Sequence, residues 1–400
     1  MRIACISDDR YPTANANTQQ IVKTAAALAR RGLDVDLVLP RLWETLGQDE
    51  ARRRQSIEQY YSAQGPFGLR QILSWMPTPL RFHKFSHGIV GPVVTGLDQY
   101  DLVYTRNFLP VLVGLATGQR VMFETYRLLG RQYPALKDSM RRVGGHRNFL
   151  GVVVHSDLAR DVMIESGVPA DKVAVIHNGY DPSDLEPRLT RAEARRVVSE
   201  RTGWALEPEA KIVCYTGRID PDKGIDVVLD MAARSPKVTY LFVGATNRRG
   251  QGWLDRACLA RGVTNVLRSP RVDPKTLAAF MYAADVLIIP PTCGPLVKKG
   301  NTVLPIKTFS YLGAGRPILA PDLPDTAGLL QNDENAVLVP ADDSDWAVRA
   351  LLDLLADSKR WMRLAQGAGR SGEGLTYDAR AERFEAFMRE RLAIASSVRP

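Results

Sequence analysis

The residues best placed to do chemistry lie in Tyr215-Thr-Gly-Arg-Ile-Asp-Pro-Asp-Lys-Gly224, where an apolar run ends in glycine and a basic turn leads into a helical pattern starting near Ile225. Gly217 and Gly224 let a ligand approach the backbone. Arg218 and Lys223 add two formal positive charges, and the helix start adds free N–H groups and a partial positive charge. That combination suits an anion, and a diphosphate in particular. Each charge-assisted bond contributes about 1.5–3 kcal/mol, so removing both cations should weaken nucleotide binding at least about a hundredfold. If negative charge grows on a departing diphosphate, the same two side chains become catalytic. A second polar group, Asp8-Asp9, follows the first apolar run at 3–6 and reads equally well as an acceptor contact or a solvated loop.

A phosphate-holding turn works at the carboxyl end of a parallel strand, where ligands of open α/β sheets bind. The chain supplies such strands. Apolar runs at 3–6, 35–39, 102–104, 121–123, 152–154 and 173–176 alternate with helical patterns and predict one doubly wound Rossmann-like domain over 1–184. A charged, proline-bracketed helix predicts a linker at 185–207. Runs at 212–215, 240–243, 263–267, 286–289, 318–319 and 336–339 predict a second Rossmann-like domain over 208–376. An amphipathic pattern with Phe384, Phe387, Met388 and Leu392 predicts a C-terminal helix over 377–400 that packs on the first domain. Residues 43–95 fit the alternation poorly. Their aromatics and basics (Trp75, Arg81, Phe82, Lys84, Phe85) suggest an insertion or acceptor-side lid, the alternative being a plain buried helical pair.

The G-R-x-x-x-x-K-G turn, followed by Ala284-Asp-Val-Leu-Ile-Ile-Pro290 and Pro305-Ile-Lys-Thr-Phe-Ser-Tyr-Leu-Gly-Ala-Gly-Arg-Pro-Ile318, resembles the retaining GT-B glycosyltransferases of family 4. In the first half, Asn178-Gly179-Tyr180-Asp181 is similar to that family's N-G-V-D segment, and residues 13–28 are similar to its first loop and helix. The resemblance implies two Rossmann-like domains facing a cleft, with the donor nucleotide sugar held mainly by the second and the acceptor by the first. It places Arg218 and Lys223 on the donor diphosphate, Lys307 on the phosphate side, and Asp9, Asn17 and Glu124 on the acceptor side. Two departures stand out. The family's E-x7-E glutamates correspond to Thr302 and Ser310, which become the donor-binding positions; serine can make one neutral hydrogen bond to a ribose, about 1–2 kcal/mol weaker than a carboxylate. In Phe123-Glu-Thr-Tyr126, tyrosine replaces the histidine that usually faces the sugar, so Tyr126 can donate one hydrogen bond but carry no positive charge.

The implied activity is retaining transfer of a hexosyl group from a nucleoside-diphosphate sugar to an acceptor hydroxyl, in bacterial glycan, glycolipid or secondary-metabolite synthesis, with no metal and no cofactor. Two alternatives come from the departures: a degenerate relative that binds a nucleotide or partner without turnover, and a GT-B epimerase or phosphorylase. Other signals are weaker. Asp343-Ser-Asp345 imitates a metal-binding D-x-D but directly precedes a helix, so capping explains it. No G-x-G-x-x-G or G-x-x-x-x-G-K-[ST] is present, and the five histidines have no H-E-x-x-H pattern. His155 follows an apolar run and reads first as structural, with substitution for the missing histidine as the alternative.

Four hundred residues suit two cores. The four cysteines are widely spaced without C-x-x-C pairs, which points to reduced thiols in the cytoplasm. No run reaches membrane-spanning length. The net charge of +9 includes clusters such as Arg52 to Arg54 and Arg141-Arg142. These read as solvated helix faces or as attraction to an anionic membrane surface or acceptor. Nucleic acid is not an expected partner, because no zinc-finger, RNP or basic-zipper pattern occurs.

Overall fold

A computed structural model describes residues 1–43, 46–73, 82–98, 100–246, 252–299 and 304–397. They form two compact units: Met1–Asn178 with Tyr377–Pro400, and Gly179–Thr376.

Unit 1 contains β1 (Arg2–Ile6), β2 (Asp34–Arg41), β3 (Gly68–Leu73), β4 (Leu102–Thr105), β5 (Val121–Glu124), β6 (Phe149–Val154) and β7 (Val173–Val175). They form one parallel sheet in the order β3-β2-β1-β4-β5-β6-β7. Helices cover both faces of such a sheet, so its strands must be apolar throughout, and β6 is buried at every residue. The order turns back between β1 and β4. That is the switch point where the carboxyl ends of two strands open onto a shared crevice.

Within 43–95, expected as an insertion or lid or else as a buried helical pair, the described residues form two helices and the strand β3, which pairs into this sheet. The helix Glu50–Tyr61 buries Ile57 and Tyr61 in the core and returns the chain to lay β3 beside β2. The helix Phe82–Gly96 then leads back toward β4. A short strand carrying Arg70 and Gln71 has little apolar alternation, so it left no signal in the sequence. Trp75 and Arg81 lie outside the described residues.

The chain returns to unit 1 in the helix Tyr377–Ser397, which packs against the helix Ala16–Arg30 and buries Phe384 and Met388 in the unit 1 core. Its deepest polar group is Arg380, with a side chain only 1 % exposed. That guanidinium donates to Glu124 Oε2 at 2.7 Å, to the carbonyls of Ile176 and His177, and to Thr24 Oγ1.

Unit 2 contains β8 (Lys211–Thr216), β9 (Val238–Val243), β10 (Val266–Ser269), β11 (Val286–Ile288), β12 (Ile318–Pro321) and β13 (Ala336–Val339). The sheet is again parallel, in the order β10-β9-β8-β11-β12-β13, with its own switch point between β8 and β11. The proposed linker at 185–207 is a built part of this unit. The helix Arg191–Thr202 starts with a Thr190/Glu193 capping box and buries Ala194 and Val198 in the core. Arg195 spans from it to the carbonyls of Ala283 and Ala210 and to Asp285 Oδ2. Its charged composition reflects one solvated face and one internal guanidinium.

Arg380→Met keeps most of the packing volume but strands the Glu124 carboxylate with fewer partners. Breaking one side of a buried ion pair costs about 3 kcal/mol or more, so the unit 1 transition in urea unfolding should move to markedly lower denaturant. An unchanged midpoint would show that the pair adds nothing.

Candidate active site

In unit 2, β8 ends at Thr216 and the chain turns through Gly217 at φ +126°. Gly217 N–H still donates to Val243 O, and Ile219 N–H to Ala245 O, so the turn continues the β8–β9 ladder. Ile219 is fully buried and anchors it. A short 3₁₀ turn, Pro221–Lys223, leads to Gly224 at φ +74° and the helix Ile225–Arg234. The N-cap of that helix, Gly224, has no side chain to cap it, which leaves the first amide groups without a cap from that position. A Cβ at position 224 would lie 2.2 Å from Thr292 Cγ2, so only glycine lets the turn settle against the loop after β11.

Lys307 completes the group. It opens the helix Lys307–Ala314, and its Nζ lies 3.5 Å from the centroid of the Tyr215 ring, as a cation over an aromatic face. A Cβ at position 217 would stand 3.1 Å from the same Nζ. Burial, reinforced by the charge of Lys223, holds the Lys307 ammonium well below the usual lysine range. The turn therefore brings together two mutually repelling cations beside a glycine and an uncapped helix start, and a bound anion would relieve that repulsion. Ser310 is partly buried one turn further along the Lys307 helix. Thr302 lies outside the described residues.

Arg218 departs from the expected open cation. Its Nε is 2.6 Å from Asp220 Oδ2 and its NH2 3.8 Å from Asp222 Oδ1, both acids of the same turn. Tyr215 Oη also donates to the Arg218 carbonyl, tying the turn to the strand. The side chain remains about half exposed, so an anion would have to compete with the two carboxylates.

In unit 1, Asp9 and Asn17 do meet: Asn17 Nδ2 donates to Asp9 Oδ2 at 2.8 Å. Lys84 Nζ joins them, 2.7 Å from Asp9 Oδ1 and 3.2 Å from Asp8 Oδ1. Burial raises the Asp8 carboxyl, opposed by the Lys84 charge. The Asn17 side-chain oxygen is buried without a hydrogen-bond partner.

Glu124 is not an acceptor contact. Its side chain is fully buried, and its carboxylate accepts from Tyr104, from His155 Nε2 at 2.8 Å and from Arg380, with Arg106 Nε a further 3.5 Å away. Burial would raise its pKa, but the two guanidiniums overcome that and hold it well below the usual carboxylate range. His155 is structural. Its Nδ1 faces the Asn178 amide, and burial pushes the imidazole down to about 4, so it is neutral near pH 7 and donates through Nε2. Tyr126 lies just past β5, partly buried between the guanidiniums of Arg106 and Arg127 at 5.6 and 5.7 Å. Sequence reading missed Arg106, Tyr215 and the role of Lys84. Arg106 and Lys84 belong to no local motif, and Tyr215, although it opens the quoted turn, gains its role from the distant Lys307.

Family models for "Glycosyltransferase Family 4" and "Glycosyl transferases group 1" match residues 18–184 and 210–357, one in each unit. The chain belongs to the family 4 glycosyltransferases. This glycosyltransferase is 26 % identical over 384 residues to a D-inositol 3-phosphate glycosyltransferase of Xylanimonas cellulosilytica, covering 90 % of this chain and 88 % of that one. It is 25 % identical over 419 residues to the enzyme of the same name from Thermomonospora curvata, covering 96 % and 94 %. Among solved structures it is similar to sucrose-phosphate synthase of Thermosynechococcus elongatus (TM-score 0.77, 17 % identity, 98 % and 99 % covered). It is also similar to Anabaena Alr3699/HepE in complex with UDP and glucose (TM-score 0.74, 14 % identity, 98 % and 100 % covered). At these identities the structures establish the shared fold, the GT-B arrangement of two Rossmann-like domains.

The depressed Lys307 gives the glycosyltransferase a pH signature. An anion at Gly217 favours the protonated ammonium, so nucleoside-diphosphate binding should take up protons and weaken as pH rises through the lowered Lys307 pKa. Calorimetry in buffers of different ionisation enthalpy should show this uptake, and Lys307→Met should abolish it. Equal proton uptake in the variant would exclude Lys307 as the source.

Proposed function

We propose that this glycosyltransferase binds a nucleoside-diphosphate sugar at the Gly217–Gly224 turn of unit 2 and transfers its sugar, with retention, to an acceptor hydroxyl. The supporting observation is the convergence of Lys307, Lys223 and an uncapped helix start on Gly217. As the glycosidic bond breaks, negative charge grows on the diphosphate. Cations already fixed in a partly desolvated site stabilise that charge without reorganising, usually the largest single term in such catalysis. Lys307 and Lys223 would supply this stabilisation without a metal ion. Arg218 would join once the diphosphate displaces Asp220 and Asp222.

On retention, the acceptor hydroxyl attacks from the face the leaving group departs from, and a phosphate oxygen takes its proton. Tyr126 would donate one hydrogen bond to a sugar hydroxyl. Asp9, Asn17 and Lys84 would form the acceptor side of unit 1. The relatives' name, D-inositol 3-phosphate glycosyltransferase, makes a phosphorylated polyol a suitable first acceptor to test, with a hexosyl donor. All the named relatives are bacterial, which favours bacterial glycan, glycolipid or secondary-metabolite assembly on the cytoplasmic side.

A second reading, nucleotide binding without turnover, is favoured by Ser310 in place of a glutamate, Tyr126 in place of a histidine, and the internal pairing of Arg218. Incubation with UDP-, GDP- and dTDP-sugars separates the two. Transfer requires release of nucleoside diphosphate, and Arg218→Ala and Lys223→Ala should each slow release at least about tenfold. Ser310→Glu should tighten donor binding if the ribose pocket is otherwise intact. Thermal stabilisation without release would establish the binding-only reading, and neither effect with any donor would remove both.

A further inference from the structure

Unit 2 has a second cationic site at the opposite edge of its sheet. Because all six strands are parallel, the residues that begin β8 and precede β11 and β12 share one edge, away from Gly217. A six-residue strand such as β8 separates the two edges by about 20 Å. At the amino edge lies a cavity of about 640 Å³ lined by Arg188, Arg191, Lys211, Arg316, Asp285 and Trp361, among others. That volume suits a ligand of metabolite size.

Its charge balance is one-sided. Asp285 is the one carboxylate among the lining residues, and it is already engaged by Arg191 NH1 at 2.5 Å, by Arg195 NH2 at 3.0 Å and by Ile212 N–H at 2.8 Å. Of the nearby acids, Glu186 pairs with Arg188, Glu193 closes the Thr190 capping box and Asp357 caps the helix Ser358–Glu373, while Glu209 acts on Arg195. Among the described residues, the Lys211 side chain makes no hydrogen bond or ion pair and is exposed at the rim. Arg316 donates from NH2 to the Tyr282 carbonyl at 3.0 Å, while its buried Nε has no hydrogen-bond partner among the described residues. Its guanidinium lies 5.5 Å from the Tyr282 ring and 5.9 Å from the Trp361 ring. Burial, together with the charges of Arg191 and Arg188, pulls it below the usual arginine range. The first residues of two helices, Arg191–Thr202 and Ser358–Glu373, also line this cavity.

From this juxtaposition of Lys211, Arg316 and Arg191 around an open cavity, we infer that unit 2 holds a second phosphate-binding site, distinct from the proposed donor site, for a soluble phosphorylated small molecule. The Trp361 ring offers an apolar or ring portion of that ligand a face to pack on, while the guanidiniums and Lys211 take the phosphate oxygens. The inference goes beyond the proposed transferase reaction and does not depend on it.

Calorimetric titration of the full chain with inorganic pyrophosphate tests it. Two binding events are expected, one weakened at least tenfold by Lys211→Glu and retained in Lys211→Arg, the other weakened by Lys223→Ala. Lys211 is exposed, so an unchanged melting temperature of Lys211→Glu will confirm that its fold is intact; Arg316→Gln should weaken the same event independently. Loss of the Lys223-sensitive event alone would count against the proposed donor site and leave this one standing. The absence of any event sensitive to both Lys211→Glu and Arg316→Gln would overturn the inference. So would Lys211-dependent binding seen only with phosphatidylcholine vesicles containing phosphatidic acid, since that would assign the cations to a lipid surface.

Discussion

A carboxylate with no access to water is costly unless every oxygen is matched, and in unit 1 Glu124 meets that condition through groups drawn from across the sequence. Tyr104 comes from the neighbouring strand, His155 from the loop after β6, and Arg380 from the last helix. Satisfying the charge therefore requires the sheet and the C-terminal helix to assemble together. The same guanidinium closes the end of β7 by binding the Ile176 and His177 carbonyls. Removal of solvent makes each of these bonds stronger and each missing partner more expensive. Tyr126, two residues past Glu124, inherits its position from this arrangement.

Unit 2 works on the opposite electrostatic principle. Its turn is held by backbone ladder bonds and by buried Ile219, while its cations are left imperfectly matched: Lys307 on an aromatic face beside another lysine, Arg218 leaning on acids of its own loop. Charge in this state favours an incoming anion. The Asp220 and Asp222 contacts also keep Arg218 from being a bare cation, so under the proposed function a diphosphate would have to exchange those carboxylate contacts for phosphate ones. Similar reasoning separates His155 from a catalytic histidine. Neutral, buried and bonded at both nitrogens, it does not take up a second proton near pH 7.

Apart from β3, the strands of both sheets and the cationic glycine turn after β8 could be read from apolar runs, glycines and charges that lie close together in sequence. Buried parallel strands are continuous apolar runs, and a strand–glycine–helix junction is a local event. The departures at Ser310 and Tyr126 were also visible. What failed were inferences about isolated polar residues and irregular segments. The family resemblance placed Glu124 on the acceptor side, yet its environment is set by a helix that begins far along the chain. The linker at 185–207 and the insertion at 43–95 were misjudged because amphipathic, charge-rich segments look solvated in sequence even when one face is packed, as Ala194, Val198, Ile57 and Tyr61 show.

The sequence by itself determined that this chain builds two doubly wound sheets with a cationic glycine turn after β8, because backbone propensity and burial on both faces of a strand are written into neighbouring residues. Only the tertiary structure decided which charges are spent and which remain available. Arg218 against Asp220, Lys307 over Tyr215 and Glu124 inside a ring of donors depend on distance and desolvation, and neither quantity exists until distant segments meet.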